Sequence, residues 1–162
     1  MRPFLRLLLP VLLLGLFGGC SERIEPTPLT YTQLLTGQNQ KSWKLVSIII
    51  VDQGTASRAI SPAELFNPCR VDDLYTFYNN TERRFEYGDG ATKCKATDPD
   101  VLLTDNWTFI NANASLEFPL PVLGIKYPYI VKNLTASVLT IEFYFPDINA
   151  SYRFTFNSVS TK

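Results

Sequence analysis

The chain has 162 residues, with 15 basic and 15 acidic side chains and no histidine. The missing imidazole removes the usual general base, the histidine-dependent triads and every His-containing zinc or iron site. Balanced charge with no Lys/Arg run argues against a nucleic-acid surface, and the 13% aromatic content supplies bulk for one packed core.

Arg2 and Arg6 form a basic start, Leu5 to Leu9 and Val11 to Phe17 an apolar stretch broken by Pro10, and Gly18-Gly19 a small-residue step before Cys20. That order is the plan of a secretory signal. The apolar run is shorter than the roughly 20 residues a membrane span needs, which disfavours an uncleaved one-span anchor. Leu16-Phe17-Gly18-Gly19-Cys20 resembles a lipobox, with Phe17 where Leu is preferred. The resemblance implies a signal peptide over 1–19, cleavage before Cys20 and a diacylglyceryl thioether on its sulfur. Each buried CH₂ of such chains contributes about 0.8 kcal/mol, and two or three chains anchor firmly where one is marginal. Ser21 rather than Asp after the cysteine favours an outer-membrane lipoprotein, on its periplasmic side or at the cell surface.

Residues 20–29, with Pro26 and Pro28, read as a lipidated tether, and 30–162 as one domain. Thr30 to Gln38 predicts one or two helical turns stopped by Gly37. From there the pattern has period two. Trp43 to Val51 predicts a strand with Trp43, Leu45, Ser47, Ile49 and Val51 on one face. A long connection follows Asp52-Gln53-Gly54, with a short helix at the capping-box pattern Ser61-Pro62-Ala63-Glu64. Asp73–Tyr78 and Arg83–Tyr87 read as a hairpin around Asn79 to Glu82. Asn106–Ile110, Ser115–Phe118, Ile125–Val131, Val138–Phe145 and Ser151–Asn157 complete the chain. Pro128 places the third of these at an edge or a bulge. These are eight strands joined mostly by short turns, with no room for crossover helices. The expected fold is all-β: an eight-stranded antiparallel meander closed into a barrel, with a short N-terminal helix and a short helix in the first long loop.

Leu34-Leu35-Thr36-Gly37 leading into Ser42-Trp43-Lys44-Leu45, Cys69-Arg70-Val71-Asp72-Asp73-Leu74-Tyr75-Thr76-Phe77, and Gly90-Ala91-Thr92-Lys93-Cys94 carry a resemblance. In these segments the chain resembles the lipocalin-like lipoproteins of didermal, Bacteroidetes-type bacteria, although Lys41 stands where the usual lipocalin opening has Gly. The resemblance implies a calycin-type barrel and carries little about activity.

Lipidation removes Cys20, leaving Cys69 and Cys94, and an exported chain meets an oxidising compartment. With the hairpin turning near Asn80 to Glu82, Cys69 falls within about two residues of facing Cys94, and a disulfide is expected. Asp89, Asp98, Asp100 and Asp105 invite a calcium reading, but their spacing does not match an EF-hand loop. Asp72 with Asp73, or Glu86 with Glu117, invites a glycosidase reading. The two glutamates lie on the polar phase of their strands, and no acid is read on an inward phase. The Asn-x-Ser/Thr triplets are expected products of an Asn/Ser/Thr-rich β-protein. No catalytic, cofactor or metal residues are assigned, and the chain is read as non-enzymatic.

The bulky inward phase is taken as Trp43, Phe85, Tyr87, Trp107, Phe109, Ile141, Phe143, Phe154 and Phe156, with Phe77, Leu116, Phe118, Leu139, Phe145 and Tyr152 beside them. An eight-stranded barrel is only wide enough for side chains or one small ligand, so a mostly filled interior is expected. Any narrow cavity would lie at the open end under the loop from Asp52 to Asn67. Two roles stay open: a carrier of a small apolar molecule, and an envelope protein that meets a protein or glycan partner. Membrane contact is expected through the lipid on Cys20, and no nucleic acid is expected.

Overall fold

The computed structural model describes residues 28–159. Thr30 caps the first helix, α1 (Tyr31–Thr36): its hydroxyl accepts from the Gln33 amide while the Gln33 side chain accepts from the Thr30 amide. Gly37, at φ 67°, ends α1 in a conformation that side-chained residues resist. Ten strands follow: β1 (Gln40–Asp52), β2 (Thr55–Ala56), β3 (Leu74–Tyr78), β4 (Arg84–Gly88), β5 (Val101–Asn106), β6 (Thr108–Ile110), β7 (Ser115–Leu120), β8 (Ile125–Leu134), β9 (Val138–Phe145) and β10 (Ala150–Val159). A second helix, α2 (Pro62–Leu65), lies in the long β2–β3 connection, with Ser61 and Glu64 forming its capping box.

The strands make one antiparallel sheet in the order β5-β4-β3-β1-β10-β9-β8-β7-β6, with β2 folded back on β1. The first long strand therefore pairs with the last, Leu45 opposite Phe156 and Ile48 opposite Phe154. The two ends of the path, β5 and β6, are separated in sequence by Trp107 alone, so the sheet is nearly closed into a barrel.

Among the described residues ten strands are found where eight were expected, for two local reasons. Gln53 and Gly54 both have positive φ, the twist a two-residue hairpin turn requires, so the chain after Asp52 reverses into β2 instead of leaving the sheet. The other unexpected strand, β5, pairs with β4 from Arg84–Asn106 to Gly88–Val101. Its residues run apolar over Val101-Leu102-Leu103 and polar over Thr104-Asp105-Asn106, without the apolar–polar alternation that marks a half-buried strand, and only Leu103 and Asp105 are half-buried.

The face assignment of β1 also needs correction. Trp43 and Leu45 point inward, but a bulge between Leu45 and Ser47 shifts the register, and Ile48 becomes the next core residue. One extra residue reverses every face beyond it. Ser47, Ile49 and Val51 therefore do not share the inward face of Trp43.

The core is continuous and aromatic. Phe77, Phe85 and Phe118 meet with ring centroids 5.1 Å apart, Tyr75 meets Phe156 at the same distance, and Trp107 packs edge-on against Phe77. At one end, α1 plugs the barrel: Leu35 is fully buried and its carbonyl accepts from Trp43 Nε1 at 2.8 Å. Lys41 Nζ, lying over the Trp43 ring, donates to the carbonyls of Leu34 and Ala136. Lys41 is thus a C-terminal cap for α1, and partial burial lowers its pKa.

Two seams interrupt the ladder toward the other end. The β6–β7 pairing begins at Thr108–Glu117, and the β8–β9 pairing at Ile130–Glu142. Pro119 and Pro128 both fall where a second strand neighbour is missing, so their absent amides cost no ladder bond. Lys126 ties across the first seam to Asp105 and Asn106 of β5, with 2.7 Å to Asp105 Oδ1.

Candidate binding site at the open end of the barrel

The end opposite α1 carries the β2–β3, β4–β5, β7–β8 and β9–β10 connections. Beneath them lies a partly open cavity of about 370 Å³. Pro62 and Phe66 contribute from α2 and its exit, Leu45 from β1, Leu102 and Leu103 from β5, and Pro121 and Val122 from the β7–β8 turn. Arg70, Val71, Asp73, Tyr75 and Tyr87 complete the wall. The filled aromatic interior bounds it below, with Tyr75 packed on Tyr87 and Phe156.

Two loops that flank the cavity are stapled together. Cys69 lies in the short 3-10 turn Pro68–Arg70 before β3, Cys94 lies in the β4–β5 connection, and the pair stands at disulfide distance with Cα atoms 5.0 Å apart. The same region uses two glycines as close-approach points. A Cβ on Gly88 would overlap the Asp100 carbonyl, and one on Gly90 would overlap Asp72.

The chemistry of the cavity centres on Asp73, which is 3% exposed. Tyr87 donates its hydroxyl to Asp73 Oδ2, while Asp73 Oδ1 is buried without a hydrogen-bond partner. Among the described residues, the other buried side-chain atoms in that condition are Asp72 Oδ1 and Asp89 Oδ2. The β3–β4 ladder ends at the Leu74–Gly88 pair, and Asp73 and Asp89 are the next residues on its two sides. Burial raises the Asp73 pKa, and the charges of Asp89 and Asp72 push the same way, against the Tyr87 hydrogen bond and Arg70. Burial likewise raises the Tyr75 and Tyr87 phenols. The result is an apolar hollow with one desolvated acid in its wall.

Sequence reasoning passed over Asp73 as an inward residue, although the pattern held a sign of it. Asp73, Tyr75 and Phe77 share one period-two phase, and Asp89 continues the phase of Phe85 and Tyr87. Apolar bulk defined that phase, so Asp73 was read as the polar first residue of its strand, and Asp89 as part of the turn that closes the hairpin and of the calcium reading.

The named interior residues fall as follows. Trp43, Phe85, Tyr87, Trp107, Ile141, Phe143, Phe154 and Phe156 are buried, while Phe109 is half-buried and packs on Trp107 and Tyr31. Tyr129, Leu120 and Tyr75 join the core without having been named. The aspartates of the calcium reading are dispersed: Asp100 pairs with Lys93, Asp105 with Lys126, and Asp98 accepts from the Lys95 amide. Among the described residues no three His, Cys, Asp or Glu side chains are placed to hold a metal ion. Glu86 accepts from Tyr78 and pairs with Arg84, and Glu117 lies opposite Thr108 and Pro128, in the phase away from Phe85 and Phe118.

The expected signal peptide, the expected lipidation site Cys20 and most of the expected tether lie outside the described residues. No described helix is long and apolar enough to cross a membrane. No protein-family model matches the chain, and no curated protein matches it.

Proposed function

We propose that this chain is an exported, lipid-anchored lipocalin-like barrel that binds a small apolar ligand in the cavity at its open end, without catalysing a reaction. The observation that carries the reading is the cavity itself: concave, mainly apolar, placed in the barrel mouth and furnished with few polar groups, as small-molecule sites are. The order of charge, apolar run and small residues before Cys20 supports anchoring at the outer membrane. The nearly closed antiparallel sheet supports the reading: with β5 and β6 counted as one strand bent at Trp107, and β2 as an excursion of the first loop, the strand number agrees with that of an eight-stranded calycin plan.

Titration of the protein with a fluorescent apolar probe tests the binding reading. Saturable one-to-one binding, abolished by Leu102→Trp at the cavity wall, is the expected result. A probe that never saturates, or that binds the variant equally well, removes the carrier role. A second reading, an envelope partner-binding protein, is favoured by Tyr127, Ile130, Tyr144 and Ile148, which stay exposed on β8, β9 and the β9–β10 turn. Anchoring has its own test: Cys20→Ala should move the protein from the membrane to the soluble fraction.

A further inference from the structure

We propose that the ligand of the open-end cavity is an apolar molecule bearing a primary amine, its ammonium held by Asp73 with Asp89 behind it. This inference rests on the reading of the cavity as a ligand site and names the chemistry that the site selects. Asp73 and Asp89 adjoin the last pair of the β3–β4 ladder, close enough for the charge of Asp89 to act on Asp73, and each keeps one buried oxygen without a donor. Charge of this kind is expensive to bury unpaired, and like charges side by side compound the cost. An ammonium answers both conditions at once, because it offers three donors and one positive charge. A hydroxyl offers one donor and no charge. A carboxylate head would add a further negative charge to the pair.

A metal ion is the weaker alternative, since among the described residues no three acidic or sulfur side chains are placed to hold one. The polarity of the walls agrees with an amphipathic amine. Phe66, Leu102, Leu103 and Val122 line the cavity around Asp73 and receive the apolar part. Asp73 has already lost its water in the folded protein, so an incoming cation displaces little solvent from it. Tyr87 holds one carboxyl oxygen in place and orients the group.

Calorimetric titration of the purified protein with octylamine, octanol and octanoate separates the possibilities. Octylamine should bind about tenfold more tightly than octanol near neutral pH, as charge-assisted pairing requires, with octanoate weakest. The amine advantage should shrink toward unity in Asp73→Asn, which keeps the shape and the acceptor for Tyr87, and shrink in part in Asp89→Asn. The wild-type protein supplies an independent check if either variant folds poorly. Asp73 is faced by Tyr87 and Asp89 from β4 and its exit and by Asp72 and Arg70 on its own side. Its carboxylate, whose pKa is raised by burial, protonates as pH falls, so the amine-to-alcohol ratio should fall as the solution is acidified while the alkylammonium stays charged. Equal binding of all three compounds, or preference for octanoate, overturns the amine assignment and leaves the cavity as a ligand site. If none of the three compounds saturates the protein and the apolar probe does not either, the binding reading fails as well.

Discussion

At the closed end of the barrel, buried polar groups meet partners: Trp43 Nε1 donates to Leu35 O, Trp107 Nε1 to Tyr78 O, and Ser42 shares a hydrogen bond with Thr76. At the open end, Asp73 Oδ1 and Asp89 Oδ2 are buried and meet none. The closed end is filled with rings, whereas the open end keeps about 370 Å³ of space beneath its loops. One half of the molecule therefore contributes stability through dense packing. The other carries unsatisfied polarity that is useful only if something binds there. The disulfide lies on the second half, where packing is thinner and the loops are longer.

The contrast is sharpest in the response to truncation. Trp43→Ala removes a fully buried ring and the partner of the Leu35 carbonyl, and should destabilise the protein by about 3 to 5 kcal/mol in urea unfolding. A loss below about 1 kcal/mol, the range of surface substitutions, would show that the closed end is not the stabilising half. Replacing Cys69 and Cys94 together by Ser should cost about 3 kcal/mol, from releasing a cross-link over a sequence separation of 25. Probe affinity should also weaken, because the staple joins two cavity loops. Unchanged affinity would detach the disulfide from the site.

Smaller effects test finer points of the same comparison. Thr30→Ala removes the α1 cap and should cost about 1 kcal/mol without changing probe binding at the opposite end. Asp73→Asn should have the opposite sign. The Asp73 pKa is raised on folding, so its ionised form opposes folding. That opposition is absent below the unfolded-state pKa of about 4, grows as pH rises through the raised folded-state value, and is complete above it. The variant should thus match the parent in acid and be more stable at neutral pH, as paired denaturation curves would show. A variant that is less stable at neutral pH would mean that the carboxylate is satisfied there.

The alternation of Trp43-Leu45, Phe77, Phe85-Tyr87 and Ile141-Phe143 made the antiparallel β-architecture legible, because strand side chains repeat every second residue and apolar bulk marks the buried face. Both helix starts were legible for an equally local reason: Thr30-Gln33 and Ser61-Glu64 each satisfy their own backbone amides. Information of longer range was not legible. A bulge can sit at any of several residues of an all-apolar stretch, so which of Ile48 and Ile49 faces inward depended on pairing with β10. Strand β5 has weak alternation of its own and owes its existence to the edge that β4 offers. The site depended on tertiary structure most of all. Asp73 is an ordinary acid at the start of a strand in sequence, and becomes a desolvated group in a cavity only when β4 brings Tyr87 and Asp89 to it and the stapled loops close over it. Local patterns determine which face of a segment is apolar. The burial of a charge is set by everything that surrounds it, and that is decided only by the assembled barrel.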